Sequence, residues 1–318
     1  MKLAALGEVM VELAPQGADG AGTPLLAQGY AGDTYNTSVY IARSGVDVRY
    51  VTLLGDDPYS AQILATLAAE GIDTTAIEQL SGRSPGLYMI RNSADGERQF
   101  TYWRGEAPAR ALFADTVSRE RLQAQLREVD CIYLSGITLA IMAPPAREHL
   151  LTFLAEFRRG GGRVAFDSNY RPRLWATPQD AQRAVAALLA QADIALLTLE
   201  DEQLLWGDVD ADACLTRNAD YPLAELVLKR GPDPVLLQSD GTVHALAVPP
   251  VTGIVDTTGA GDAFNAGYLA ARLHGAVAAE AVAAGNRCAA RVIRHRGAII
   301  PAAQFAAERA LAPVAASE

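Results

Sequence analysis

The sequence predicts an α/β protein: a mainly parallel sheet flanked by helices on both faces, with a second, smaller β-sheet attached. Two observations predict the large sheet. Short apolar runs bounded by turn or charged residues recur along most of the chain, and longer amphipathic stretches separate them. Strand–helix alternation of this kind needs crossovers, and crossovers cover both faces of a sheet. A third observation predicts the small sheet. In GLYMIRNSADGERQFTYWR (86–104) two strand-like runs follow one another around Asp95-Gly96 with no helix between them, which reads as a hairpin.

The strands of the large sheet are read, in order, at KLAAL (2–6), RYVTLL (49–54), CIYLS (131–135), RVAFD (163–167), IALLT (194–198), LVLK (226–229) and VLLQS (235–239). Pro58 to Glu70 carries Ile63, Leu64 and Leu67 at helical spacing and stops before Gly71. Pro144 to Arg158 stops before a run of three glycines. Thr177-Pro178 supplies a cap followed by proline at the first helical position. Residues 8–31 show no helical pattern and run through Gly- and Pro-rich sequence to GYAGD; with 86–105 they are read as one small sheet on a single domain of residues 1–318. The alanine-rich tail beyond Pro301 reads as a terminal helix.

Composition excludes several classes. Lys+Arg 27 against Asp+Glu 37 gives a net charge of -10 without a basic stripe, which argues against a nucleic-acid partner. Only Lys2 and Lys229 are lysines, so arginine carries nearly all the positive charge. Cys131, Cys214 and Cys288 are odd in number and widely spaced, which fits a reducing compartment better than a disulfide framework or zinc site. Glu8 and Glu12 interrupt the apolar N-terminus, unlike a signal peptide, and no long apolar run suggests a membrane span. The expectation is a soluble cytoplasmic protein with small-molecule partners.

The segment DTTGAGDAF (256–264) carries the chemistry. Two glycines bracket Ala260, Asp262 follows at once, and the chain then turns apolar. A dinucleotide fingerprint does not fit, because Phe264 stands where the third glycine belongs, and no Walker loop occurs. Backbone N–H groups of Gly259, Ala260 and Gly261 at a helix start would form an anion-binding concavity, and Asp262 beside it would take a proton from an attacking hydroxyl. The same nine residues also fit a plain helix start with a dipole-compensating aspartate.

DTTGAGDAFNAG (256–267) resembles the C-terminal signature of the ribokinase-like (PfkB) carbohydrate kinases. GYAGDTYNTSVYIARSG (29–45) resembles that family's substrate-binding glycine segment, with Gly32, Asp33 and Asn36, and LLGDDPYSAQIL (53–64) resembles its next helix start. The resemblance covers residues 1 to about 301 in order. It implies a Rossmann-like sheet with a small β lid from about 8–31 and 86–105, and ATP bound with Mg2+. FDSNYRPRLW (166–175), FTYWR (100–104) and RGAIIP (296–301) are similar to the members acting on 2-keto-3-deoxygluconate (KDG). That implies phosphorylation of its 6-hydroxyl, giving 2-keto-3-deoxy-6-phosphogluconate and ADP. Kinases for 2-keto-3-deoxygalactonate, fructose or ribose are the alternatives; a non-catalytic sugar-acid sensor is more remote, since a sensor needs no base.

Tyr102 and Arg104 share one face of a strand, with Tyr88 on the partner strand. The resemblance implies that Arg104 and Arg171 meet the substrate carboxylate, that Tyr88 and Tyr102 hydrogen-bond the sugar with Gly32, Asp33 and Asn36, and that Asp262 is the base. It assigns Asn169, Arg171, Lys229, Gly231, Asp233, Gly259, Gly261 and Asn286 to the nucleotide. Many members carry Asn-x-x-Glu where this chain has TLED (198–201); Asp201 is therefore expected to reach magnesium through water. Asp256 and Thr258 are expected to offer oxygens to a monovalent cation such as K+. A homo-oligomer paired through the lid is also expected.

Overall fold

Leu3 and Ala5 are buried on one side of the first strand, Ala4 and Leu6 on the other. A strand apolar on both faces has to lie between two layers of helix. The computed structural model, which describes residues 1–92 and 98–310, has that arrangement. Its elements begin with β1 (Lys2–Leu6), β2 (Met10–Ala18), β3 (Pro24–Ala31), α1 (Asp33–Arg43), β4 (Asp47–Gly55), α2 (Pro58–Ala69), β5 (Ile77–Leu80), β6 (Leu87–Asn92) and β7 (Arg98–Trp103). They continue with α3 (Thr116–Leu126), β8 (Cys131–Ser135), α4 (Gly136–Ile141), α5 (Pro144–Arg159), β9 (Arg163–Asp167), α6 (Pro178–Leu189), β10 (Ile194–Thr198), α7 (Leu199–Trp206) and α8 (Ala211–Asn218). The last are β11 (Glu225–Arg230), β12 (Asp233–Ser239), β13 (Thr242–Leu246), α9 (Ala260–Leu273), α10 (Ala278–Val292) and α11 (Ala302–Ala310).

The large sheet has nine strands in the order β13-β12-β11-β10-β9-β8-β1-β4-β5. Every pairing from β11 to β5 is parallel, while β12 and β13 return antiparallel at one edge. All seven runs read as its strands lie within observed strands. Two edge strands, β5 and β13, escaped the sequence reading: IEQL and TVHAL are short and only partly buried, so no apolar run marks them. Helices α3 to α8 pack one face through residues such as Leu122, Leu150, Phe153 and Leu188. Helices α1, α2, α9, α10 and α11 pack the other through Val39, Ile63, Tyr268, Val282 and Phe305.

The small sheet has the order β3-β2-β6-β7 and a kernel of Met10, Ala31, Tyr88 and Ile90. Strands from the segments around 8–31 and 86–105 pair in this sheet, with Tyr88 opposite Tyr102 across β6 and β7. The Asp95-Gly96 turn itself lies outside the described residues. The sheet stands over the ends of the parallel strands from which Asp167 (β9), Thr198 (β10) and Lys229 (β11) project into a common cleft. Carboxyl ends of parallel strands are where open α/β sheets hold ligands.

Candidate active site

The cleft has a volume of about 1380 Å3 between the large sheet, the start of α9 and the lid. A single drug-sized ligand occupies roughly 300–1,000 Å3, so two ligands can share it.

At one end lies the turn before α9. Gly259 is left-handed at φ 74°, and a Cβ there would stand 2.9 Å from Cα of Ala298, so the position requires glycine. No side chain caps the helix. The N–H of Ala260 donates to the carbonyl of Thr257 at 3.2 Å, whereas no described backbone bond takes the N–H of Gly259 or Gly261. Open N–H groups at the positive end of a helix dipole suit an anion. Lys229 adds a charge beside them: its ammonium lies 3.9 Å from where a Cβ on Gly261 would be. It donates to Oδ1 of Asn265 at 2.9 Å and stands 3.5 Å from Oδ1 of Asp167. Asn265 in turn donates to Oδ2 of Asp167 at 2.9 Å. This buried triad fixes the lysine beside the turn before α9. Uncapped donors, a fixed cation and open space above Gly261 could receive the phosphates of a nucleotide, and the carboxylates of Asp167 and Asp201 line the same cleft, where they could meet a hydrated magnesium ion.

Asp262 sits one step beyond the cradle, at the cleft floor. Asn36 Nδ2 donates to its Oδ2 at 2.8 Å, and Thr37 Oγ1 donates to its carbonyl at 3.3 Å. Desolvation and then the nearby Asp33 carboxylate push its pKa up to about 8, against the Asn36 hydrogen bond. Such a carboxylate is basic enough to accept a proton near neutral pH. Asp167 and Asp201 are likewise raised above the usual range, chiefly by burial. Asn169, at a left-handed φ of 30° just past β9, donates to Oδ2 of Asp33 at 2.8 Å and so fixes Asp33 across the cleft.

At the lid end the polar groups come in pairs. Arg104 donates to Oε2 of Glu8, and Tyr88 donates to the Glu12 carboxylate. The Tyr88 and Tyr102 ring centroids lie 5.6 Å apart, and the Arg104 guanidinium lies 5.9 Å from the Tyr102 ring centroid. Both Nε of Arg104 and Oε1 of Glu8 are buried without a hydrogen-bond partner among the described residues. Burial pushes the Glu8 carboxyl up despite Arg104. Arg171 reaches in from the far rim, 3.3 Å from Oδ1 of Asp201.

The structure therefore gathers Gly32, Asp33, Asn36, Tyr88, Tyr102, Arg104, Asn169, Arg171, Asp201, Lys229, Thr258, Gly259, Ala260, Gly261 and Asp262 around one cleft. Gly231 lies in the turn between β11 and β12, Asp233 opens β12, and Asn286 is buried in α10; none of the three lines it. Asp256 stands just behind Thr258, and its carboxylate is met by Arg98 at 2.8 Å and by the N–H groups of Gly297 and Thr258 at 2.7 and 3.0 Å. Burial raises this carboxyl, but these partners outweigh it and hold it below its ordinary value. Glu202, next to Asp201, turns into the protein and is bonded by Arg217 at 2.6 Å.

Sequence reading missed Glu8, Arg98, Asp167 and Asn265. Two of these carried a signal. Asn265 is a lone polar residue in the apolar run AFNAGYLAARL and falls three residues after Asp262, hence on the same helix face. Asp167 is a charged residue closing a buried strand. Glu8 and Arg98 are recognisable only once their partners, far away in sequence, are in place.

Comparison with known proteins agrees with this geometry. The model for the pfkB family of carbohydrate kinases matches residues 2–304. The 2-dehydro-3-deoxygluconokinase of Dickeya dadantii is 45% identical over 94% of this chain and 96% of its own length. The enzyme of that name from Escherichia coli is 44% identical over 94% and 97%. The structure of fructokinase from Xylella fastidiosa with bound ATP superposes with a TM-score of 0.78 at 21% identity, covering 93% of each chain. A match along nearly the whole chain, with the family's glycine turn and aspartate at the floor of the cleft, places this protein in the pfkB family of carbohydrate kinases.

Proposed function

We propose that this kinase transfers the terminal phosphoryl group of ATP to the 6-hydroxyl of 2-keto-3-deoxygluconate, the compound also called 2-dehydro-3-deoxygluconate. The observation that carries the reading is Asp262: a carboxylate with its pKa raised to about 8, one residue beyond an uncapped helix start, in a cleft whose lid carries a buried arginine with an unsatisfied donor. Identity of 45% to a 2-dehydro-3-deoxygluconokinase supports the substrate.

Asp262 accepts the proton of the 6-hydroxyl as that oxygen bonds to the phosphorus. The bond from the phosphorus to the bridging oxygen breaks, and ADP leaves. Charge on the transferred group is met by the N–H groups of Gly259 and Gly261 and by Lys229. Magnesium, when bound with the nucleotide, neutralises further charge on the phosphate oxygens. Asn36 and Asp33 orient the sugar hydroxyls beside the base, and Tyr88 and Tyr102 cover its ring atoms. The substrate carboxylate takes the free Nε donor of Arg104 and the exposed guanidinium of Arg171; planar guanidinium groups match carboxylate geometry. The enzyme acts in the cytoplasm, and exposed Leu25, Leu26 and Trp103 on the lid strands are the surface on which two copies would pair.

One observation favours a second reading. Glu8 neutralises much of Arg104, and a weaker positive field suits an uncharged sugar such as fructose or ribose. A coupled ADP-release assay across KDG, its galacto epimer, fructose, ribose and gluconate decides between them. The first reading requires the highest kcat/KM on KDG. A higher value on fructose or ribose would establish the second.

A further inference from the structure

Asp256 and Thr258 are the residues expected to hold a monovalent cation, and the structure brings a cation to them from elsewhere in the chain. Arg98, at the start of lid strand β7, places Nη2 2.8 Å from Oδ2 of Asp256 and donates from Nη1 to Oγ1 of Thr258 at 2.7 Å. The Asp256 carboxylate is only 6% exposed and needs a compensating charge. Both side-chain groups of the expected ion site are thereby occupied by one guanidinium. Thr258 is also the residue before Gly259, the left-handed start of α9.

The strand that carries Arg98 spans the cleft. Arg98, Phe100, Tyr102 and Arg104 alternate along β7 and its exit, so they share a face, and all four line the cavity. Its far end meets Glu8 through Arg104, on the sugar side; its near end meets Asp256 and Thr258, on the phosphate side.

We propose that Arg98 is a positioning residue that ties the lid to the phosphate cradle and itself fills the place of a monovalent ion at Asp256 and Thr258. The proposal rests on the kinase reading for its kinetic consequence, not for its structural one. With Arg98 seated, the turn holding Gly259 is braced from the lid side, and no dissolved cation is needed there.

The test uses full-length protein in buffers whose monovalent cation is choline, which is too bulky to sit between the two oxygens, with or without added KCl. Unmodified enzyme should show the same kcat in both. Arg98→Met, which keeps an apolar stem and removes the charge, should lose about tenfold in kcat in choline, the scale of a lost charge-assisted hydrogen bond. Added KCl or guanidinium chloride should restore part of it, and Arg98→Lys should lie between the two. Amide exchange gives a readout independent of turnover: Arg98→Met should quicken exchange in both 98–104 and 256–262 and leave β1 unchanged. An unmodified enzyme that needs KCl, or an Arg98→Met protein with normal kcat in choline and unaltered exchange at 256–262, would overturn the proposal. If no sugar is phosphorylated, the kinase reading fails while the exchange experiment still decides the role of Arg98; should Arg98→Met fail to fold, Arg98→Lys carries the same comparison.

Discussion

At the α9 end of the cleft, the ligand-facing groups are consecutive in sequence. The N–H groups of Gly259 and Gly261 and the carboxylate of Asp262 fall within four residues, and the distant side chains beside them are Lys229 and Asn36. At the lid end, Glu8, Tyr88, Arg104 and Arg171 come from four separate segments, and each is engaged by a protein partner: Arg104 with Glu8, Tyr88 with Glu12, Arg171 with Asp201. In the proposed reaction, phosphate chemistry is common to all substrates of such an enzyme and would be met largely by rigid backbone. Sugar recognition is what varies, and it would be met by side chains whose pairing can change without disturbing the sheet. The two ends should therefore fail differently when altered.

The largest effect is expected at the cradle. A Cβ on Gly261 meets only the tip of Lys229, at 3.9 Å, so the chain tolerates it sterically, but larger atoms would stand where the phosphoryl group belongs. Gly261→Val should reduce kcat/KM by roughly 10²–10³-fold, the scale of a lost oxyanion donor, and weaken ATP binding as well. Isothermal titration with a nonhydrolysable ATP analogue separates the two losses. Normal nucleotide affinity in Gly261→Val would break the claim that this turn meets the phosphates.

Alteration at the lid should be smaller and selective. Arg104→Ala removes one charge-assisted contact, worth about 1.5–3 kcal/mol, and leaves Glu8 buried without its partner. KM for KDG should rise roughly tenfold to a hundredfold, while KM for ATP stays near its original value. Steady-state kinetics with each substrate varied in turn checks this. Equal increases in both KM values would erase the distinction between the two ends.

The gentlest probe is pH. Asp262 accepts a proton only when ionised, and burial with Asp33 places its pKa at about 8. At limiting KDG the rate should rise with pH, about tenfold per unit below that value, and level off above it. Stability should run the other way. The folded-state pKa is raised above the ordinary 3.8, so the folded protein binds the proton more tightly than the unfolded chain. This group's contribution is therefore full below about pH 4 and is lost as pH rises through about 8. Asp262→Asn should be at least as stable as the parent at pH 8 by thermal denaturation, which separates a functional carboxylate from a structural one. A lower Tm for the variant at that pH would count against the assignment.

The same contrast governs what could be read from the sequence. Alternation of short apolar runs and amphipathic stretches located seven of the nine strands in the large sheet, because strands buried on both faces are apolar throughout. β5 and β13 lie at its edges, where half-burial leaves no such mark. Gly259 to Asp262 were legible because their geometry is local: glycine supplies the left-handed turn, and helix polarity supplies the field. The Glu8–Arg104 pair was not, since 96 residues separate the partners and Glu8 reads from sequence only as a charge interrupting an apolar stretch. Arg98 was illegible for the same reason: its partner Thr258 lies 160 residues away. Arg104 and Arg171 were singled out as cations for the substrate carboxylate, and only the fold reveals the protein carboxylates that already hold them.

As the proposed base, Asp262 stands at the seam between the two ends. The most direct measurement is turnover of folded Asp262→Asn with KDG, with ATP affinity determined on the same preparation. Asparagine keeps the shape and the Asn36 neighbour but cannot accept the proton. The kcat should fall at least about a hundredfold with ATP affinity essentially unchanged. Retention of more than about a tenth of the parent turnover would contradict it, and Asp262 would then be no more than a carboxylate at the start of a helix.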